Sequence, residues 1–280
     1  MDSQIKINAL KSAEGITFAH KKDIGVPNGH RLHLNDHVEI YVFIKGDVSY
    51  VVDGQYFLLE EGDVLVIPPR CVHVPVIMRE CEYERFFMLF PLSSLSAYSS
   101  DPIKRLLEMQ SVRIRLSEEK RREMLSLLYK MSKIASKPLT SEGELLLHAE
   151  LLTFLCAVSE HLQREELGDI SEMRIPVLVK NALEYISRSY GEITGIAPIA
   201  KRFFVSEQYL ATVFKKHVGV TVGEYLQTKK ISAAKELLKE GNSVAFTCYE
   251  CGFSDCSYFI KVFSKTVGET PHRYAKRFEK

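Results

Sequence analysis

One stretch of this sequence occurs twice. The run from Gln208 to Thr221, Gln-Tyr-Leu-Ala-Thr-Val-Phe-Lys-Lys-His-Val-Gly-Val-Thr, returns at an offset of 49 as Ser257 to Thr270, Ser-Tyr-Phe-Ile-Lys-Val-Phe-Ser-Lys-Thr-Val-Gly-Glu-Thr. Tyr209/Tyr258, Val213/Val262, Phe214/Phe263, Lys216/Lys265, Gly219/Gly268, Thr221/Thr270 and Tyr225/Tyr274 match. A solenoid needs three or more copies to bury its repeat faces. Two copies therefore predict two like units inside one small helical domain.

Each copy reads as helix, turn, helix. In the first, Ile196–Phe203 makes a short helix with Ile199 and Ala200 inward, and Phe204-Val205 is the turn. Ser206 is a suitable N-cap for a second helix running to Val218, and Gly219 stops it. In the second copy Val244–Cys251 is the short helix, and Gly252 supplies a turn that needs positive φ. Phe253 plugs the angle, Asp255 or Ser254 caps the helix, and Gly268 ends it. The units span about 196–219 and 244–268. Tyr209, Leu210, Val213 and Phe214, then Tyr258, Phe259, Val262 and Phe263, are expected on the inward face. The opposite face carries Gln208, Thr212, Lys215 and Lys216, then Ser257, Lys261 and Lys265. Small polar and basic side chains of this kind reach base edges and phosphates. A solvated amphipathic face is the plainer reading; the repeat, the glycine turn and the charge balance favour nucleic acid. Between the units Val222–Lys239 reads as one long helix, with Tyr225, Leu226, Ile231, Ala234, Leu237 and Leu238 inward. It could set two recognition helices into successive major grooves, about 34 Å apart.

Charge supports this division. The whole chain is near neutral, +1, yet residues 177–280 hold 16 Lys and Arg against 10 Asp and Glu, leaving 1–176 at −5. A basic third on an acidic body suits one unit facing a polyanion. The six cysteines are scattered, which favours free thiols. Cys248 and Cys251 form one CxxC with Cys256 near, but no second pair follows to complete a structural zinc set. The opening MDSQIKINALKSAEG has no basic start leading into an apolar run, and no apolar run approaches the ~20 residues of a membrane span. A cytoplasmic, membrane-free protein is expected.

Ahead of the repeat, Glu39–Ile44, Val48–Val52, Tyr56–Leu59, Val64–Ile67 and Phe86–Phe90 read as short strands separated by Lys45-Gly46-Asp47, Asp53-Gly54, Glu61-Gly62-Asp63 and Pro68-Pro69. Such spacing predicts a sandwich or barrel. Leu106, Leu107, Leu125, Leu128 and Met131 recur at helical spacing, and so do Leu145, Leu146, Ala149, Leu152, Leu155, Cys156 and Leu162. Two helices follow, Ser117–Ser136 and Ser141–Arg164, the second with a capping box over Ser141–Glu144. Their apolar stripe can pack on the barrel or pair with a second copy. The polar stretch 165–172 and Pro176 read as a linker.

With these residues in view, 179–278 resembles the DNA-binding domain of the AraC/XylS family of transcription regulators. The match runs through Tyr209-Leu210, Phe214-Lys215-Lys216, Gly219 and Glu224-Tyr225-Leu226. It continues through Gly252-Phe253-Ser254-Asp255, Ser257-Tyr258-Phe259, Val262-Phe263, Lys265, Gly268, Thr270-Pro271 and Tyr274. Lys230 stands where the family often has arginine. Thr247-Cys248-Tyr249 replaces an Ile-Ala ending, and Tyr249 is expected to press on the packing of its unit. Ala211 and Thr212 stand where longer base readers are common, so readout is expected to lean on Gln208, Thr212 and Lys261. The resemblance makes Ser206, Gln208, Thr212, Lys215, Lys216, Ser257, Lys261 and Lys265 the DNA-facing set.

The N-terminal half resembles the cupin-type barrel that precedes this domain in the family. His33-x-Asn35-x3-Glu39-x6-Gly46 and Gly62-x5-Pro68-x4-His73 correspond to its two motifs. Asn35 replaces the second metal-binding histidine, leaving His33, Glu39 and His73, with His37 nearby. Three uses compete: a transition-metal site, polar anchoring of a small ligand, and structural polarity at the barrel mouth. The second is favoured, so His33, Asn35, Glu39 and His73 are taken as ligand-binding, with no metal, cofactor or catalytic residue. The expectation is an α+β chain: a cupin-like sensing domain with dimerisation helices over 1–167, a linker at 168–176, and an all-α DNA-binding domain over 177–280. Its expected partners are double-stranded DNA, a small effector such as a sugar, a second copy of itself and RNA polymerase. A metal-dependent cupin enzyme fused to a DNA-binding domain, and a ligand-independent regulator whose barrel only dimerises, are the rival readings.

Overall fold

In the computed structural model the described residues are 6–11, 16–27, 29–91, 112–136, 138, 140–164 and 175–278. Two antiparallel sheets come first. The larger holds β1 (Lys6–Lys11), β2 (Thr17–Gly25), β8 (Cys81–Phe90), β3 (Val38–Lys45), β6 (Val64–Ile67) and β9 (Val112–Ile114), in the order β1-β2-β8-β3-β6-β9. The smaller has the order β5-β4-β7, from β5 (Gln55–Leu58), β4 (Val48–Val52) and β7 (His73–Ile77). They face each other as a flattened barrel. The segments expected as strands fall on β3, β4, β5, β6 and the second half of β8. β2 was not foreseen because its inward residues include Lys21 and Asp23. β7 was hidden by Pro75, which such a strand accommodates at the edge of its sheet. Leu106 and Leu107 lie outside the described residues.

Strands such as VEIYVFIK and VLVI read as nearly continuous apolar runs, and the layering explains why. Along β3, Ile40 and Val42 point away from the small sheet, into a core completed by α1 (Glu118–Ala135) and α2 (Ser141–Arg164). Tyr41 and Phe43 point between the sheets. Both faces of the large sheet are thus buried, so alternation disappears. Met124, Leu128, Met131, Leu151, Phe154 and Leu155 spend the helical apolar stripe on the barrel, while Leu145 and Leu146 remain exposed. The capping box expected at Ser141 is not formed there: Thr140 caps α2, its Oγ1 accepting from the Gly143 N–H at 3.1 Å.

The outer face of the small sheet carries Val51, Val74, Val76 and Tyr56. It buries them against the helical third of the chain: α3 (Val177–Ser189), α4 (Ile196–Arg202), α5 (Glu207–Val218), α6 (Val222–Lys239), α7 (Val244–Glu250), α8 (Cys256–Val267) and α9 (Pro271–Lys276). Val179, Leu183, Leu210 and Phe214 share one core with those sheet residues. The order of layers is α1–α2, large sheet, small sheet, helical third. The linker expected at 168–176 falls largely outside the described residues.

The duplicated sequence folds as duplicated structure. Ser206 and Asp255 cap α5 and α8, each side chain accepting from the N–H three residues on. Gly219 and Gly268 end them at φ 79° and 88°. Thr221 and Thr270 then cap α6 and α9, with Glu224 closing a reciprocal box at Thr221. Phe214/Phe263 and Tyr225/Tyr274 are fully buried. Two expectations are corrected. Tyr209 and Tyr258 are more than half exposed, because the first helical turn projects past the core. Tyr249 does not press on its unit; it points outward, 64% exposed. Cys248 and Cys251 are packed in the apolar core of the second unit, and burial pushes both thiols up to about 12.

Candidate nucleic-acid interface and barrel cavity

All eight residues expected to face DNA are exposed: Ser206, Gln208, Thr212, Lys215 and Lys216 on the first unit, Ser257, Lys261 and Lys265 on the second. Ser206 is engaged as the α5 cap, and the Thr212 hydroxyl donates to the Gln208 carbonyl at 2.8 Å. Lys215, Lys216, Lys261 and Lys265 make no ion pair among the described residues. Lys215, Lys261 and Lys265 converge on one cleft of about 900 Å³ between α5, α6 and α8, where the Gln227 amide donates to the Tyr258 hydroxyl at 2.9 Å. Gln208, Thr212, Lys216 and Ser257 stand outside it. Sequence reasoning missed the third wall, His30, Arg31 and Leu32 from the barrel; no motif marks them.

The linking helix α6 fastens this region. The Lys230 ammonium donates to the Gly252 carbonyl at 2.7 Å, tying α6 to the turn of the second unit. On its barrel side Lys235 pairs with Asp36 at 2.7 Å, Lys229 with Asp53 and Glu236 with Arg70. The Ser232 hydroxyl donates to the Arg70 carbonyl at 2.6 Å. Lys229 and Lys235 are largely buried while Asp53 and Asp36 stay partly exposed, so solvent screens these pairs only in part.

Between the two sheets lies a cavity of about 210 Å³. His33, Asn35 and Glu39 line it, together with Lys21, His30, Tyr41, Tyr50, Tyr83 and Arg85. His73 stands one layer behind, and His37 is not part of the cluster. Glu39 Oε2 accepts from Asn35 Nδ2 at 2.7 Å and from His73 Nε2 at 3.1 Å. The other nitrogen of each imidazole faces a backbone carbonyl, His73 to Cys71 at 2.8 Å and His33 to Arg31 at 2.9 Å. Burial alone would raise the Glu39 carboxyl, but the charge and hydrogen bond of His73 hold it below the usual carboxylate range. Burial alone would lower His73, and Glu39 instead raises it. The two form a buried ion pair. His33 is lowered by burial and by the neighbouring His73 charge.

The donor atoms of His33, Glu39 and His73 lie within 4.8 Å of one another, close enough to suggest a metal centre. Asn35 Nδ2 faces Glu39 and His73 Nε2 is turned to the same carboxylate, so the cluster as it stands satisfies its own hydrogen bonds.

A helix-turn-helix domain model matches residues 199–277, and an AraC-like ligand binding domain model matches residues 27–155. This chain belongs to the AraC family of transcription regulators. It pairs a DNA-binding domain with a ligand-binding domain. Among its curated relatives are the Msm operon regulatory protein of Streptococcus mutans, 23% identical over 88% of this chain and 86% of that one, and the transcriptional activator RhaR of Mannheimia succiniciproducens, 25% identical over 89% and 88%. An apo variant of ToxT from Vibrio cholerae is a similar solved structure, 13% identical with a TM-score of 0.41, covering 96% of this chain and 99% of that one. No helix among the described residues is long and apolar enough to cross a membrane.

Proposed function

We propose that this AraC-family regulator binds its operator sequence-specifically and without catalysis, and that a small polar metabolite, such as a sugar, gates that binding from the barrel cavity. The units are a sensing domain over 1–167 and a DNA-binding domain over 177–280. Ser206, Gln208, Thr212, Lys215 and Lys216 serve the first groove, and Ser257, Lys261 and Lys265 the second. His33, Asn35 and Glu39 meet the ligand, with His73 positioning Glu39.

One observation carries the gating. The cavity and the helical third share a wall one strand thick. In the segment 31–36, His33 and Asn35 line the cavity, while Leu32 and Leu34 join the core of the helical third and Asp36 pairs with Lys235. β7 does the same: Pro75 lines the cavity and His73 reaches inward to Glu39, while Val74 and Val76, with Val72 just before the strand, join the helical core. The route therefore runs through the small sheet, rather than through α1 and α2, which cover the opposite side of the barrel. Those helices, with Leu145 and Leu146 exposed, serve a homodimer, and RNA polymerase is the further partner expected of a regulator.

The test is a titration of full-length protein against its own upstream intergenic duplex at fixed salt, with a scrambled duplex as control. Specific binding at least ~10³-fold tighter supports the reading. Sugars are then added, and gating requires the curve to move. Equal affinity for both duplexes, with and without sugars, refutes sequence-specific regulation from that site.

A further inference from the structure

The charges on the cavity wall do not balance. Glu39 is matched by His73. Arg85 is matched by Asp23, which accepts both terminal nitrogens at 2.5 and 3.0 Å. Lys21 has no carboxylate partner among the described residues; its ammonium lies 4.9 Å from the centroid of the Phe87 ring. In the β2–β8 ladder Lys21 stands directly opposite Arg85, and both side chains line the cavity. Like charges directly opposite across a ladder are destabilising. Burial, and then the charge of Arg85, lower the Lys21 pKa, which is the electrostatic cost of leaving this position without an anion. The rest of the wall sets His30, His33, the Asn35 amide and the Tyr41, Tyr50 and Tyr83 rings beside the apolar Pro75, Phe87 and Leu89.

We propose that the cavity takes a small hydroxy-carboxylate, a hydroxy acid or sugar acid, in place of a neutral sugar. Its carboxylate binds Lys21 on the Arg85 side, and its hydroxyls face Tyr41, Tyr50, His33 and Asn35. Lys21 is the one lysine or arginine of the wall with no carboxylate against it among the described residues, so the wall offers a place for one anionic group. A phosphate ester, at about −1.5 to −2 near neutral pH, would overshoot the Lys21 charge. At ~30 Å³ per water, the cavity volume of about 210 Å³ corresponds to about seven waters, which limits the ligand to about three to six carbons. This inference rests on the barrel being the effector site.

Calorimetry on the full chain with gluconate and glucuronate, against glucose, sorbitol and glucose 6-phosphate, tests it. The acids should bind at least about tenfold more tightly than their neutral counterparts, the scale of one charge-assisted hydrogen bond. Lys21→Gln should remove that preference, while Lys21→Arg, which keeps the charge, should retain it and so exclude misfolding. Glucose or the phosphate ester binding as tightly as the acids overturns the carboxylate class, as does Lys21→Gln without effect or failure of both acids to bind. Glucose binding that shifts operator affinity would do so while leaving the gating reading intact. Acids that bind but leave operator affinity unmoved would uphold the ligand class and sink the gating.

Discussion

Gly252 sets the turn of the second unit, and replacing it tests the packing argument directly. Its φ is +70°, a region that costs an L residue about 1–2 kcal/mol. A Cβ there would lie 1.9 Å from the Gly191 carbonyl oxygen and 3.0 Å from Lys230 Nζ. The first obstacle is backbone and cannot swing aside, so Gly252→Ala must move the turn away from the segment after α3 and disturb the Lys230 bond to its own carbonyl. We expect a loss of about 3 kcal/mol or more, which for a chain of this size lowers the melting temperature by ~6–12 °C. The first unit supplies the opposite experiment. Phe204 adopts φ 56° at the corresponding turn and is 95% exposed, so its ring contributes little burial while its backbone is strained. Phe204→Gly should therefore leave stability unchanged or raise it by up to about 1 kcal/mol, relief of strain being offset by the freedom glycine gains when unfolded. Scanning calorimetry of full-length protein measures both. A Gly252→Ala chain within 1 kcal/mol of the parent, or a marked loss in Phe204→Gly, would refute the account of the two turns.

If Lys261 and Lys216 each meet a phosphate, alanine at either position should reduce the slope of log affinity against log salt by about 0.9. Fluorescence anisotropy between 50 and 200 mM salt resolves this, and an unchanged slope removes that lysine from the interface. The His73–Glu39 pair predicts a pH window. The share from the raised His73 is full below the ordinary histidine range and fades as pH rises through its folded value. The share from the lowered Glu39 is full above the ordinary carboxylate range and fades as pH falls through its own. The pair is strongest at about pH 5–6. Glu39→Gln should then cost about 3 kcal/mol at pH 5.5 and clearly less at pH 9, read from urea midpoints; equal losses would contradict the ion pair. Glutamate at both Leu145 and Leu146 should convert a dimer to a monomer in sedimentation velocity, and a persisting dimer places the interface elsewhere.

The helical third was legible because duplication exposes positions that composition cannot. Gly219/Gly268, Thr221/Thr270, Phe214/Phe263 and Tyr225/Tyr274 repeat because each performs the same stop, cap or core contact in both units. Tyr209/Tyr258 and Lys216/Lys265 repeat although they are exposed, so burial alone does not account for them. The inward placement expected for the tyrosines failed because helical period alone does not say where a helix leaves its core. The barrel was half legible. Its buried strands showed as apolar runs, but β2 places charged residues on the cavity wall and β7 contains a proline, and both disguise a strand. The cupin-like motifs brought out His33, Asn35, Glu39 and His73. Lys21 and Arg85 escaped notice because their significance lies in the register of β2 against β8, a pairing of residues 64 positions apart.

The shared wall also bears on how much force gating needs. α6 follows the first unit and precedes the second, so its orientation sets the relation between α5 and α8. It is held to the barrel by Lys229, Lys235 and Glu236, all within its last eleven residues. The anchors on the barrel side are Asp53, Asp36 and Arg70. Asp36 adjoins the cavity residue Asn35, whose carbonyl accepts from the Arg70 N–H at 2.6 Å, and the Asp53 N–H donates to Val72, the neighbour of His73. Asp36 and Arg70 are thus one covalent or hydrogen-bonded step from the cavity residue Asn35, and Asp53 is two steps from His73, which backs the cavity wall. A coupling of about 1–3 kcal/mol changes affinity 5–150-fold. Weakening a single pair whose lysine is buried but whose carboxylate is partly exposed is worth about 1 kcal/mol, the lower end of that range. A ligand that shifted Asn35 by the fraction of an ångström needed to release Asp36 could therefore account for an effect of that size, with no large rotation of one half against the other.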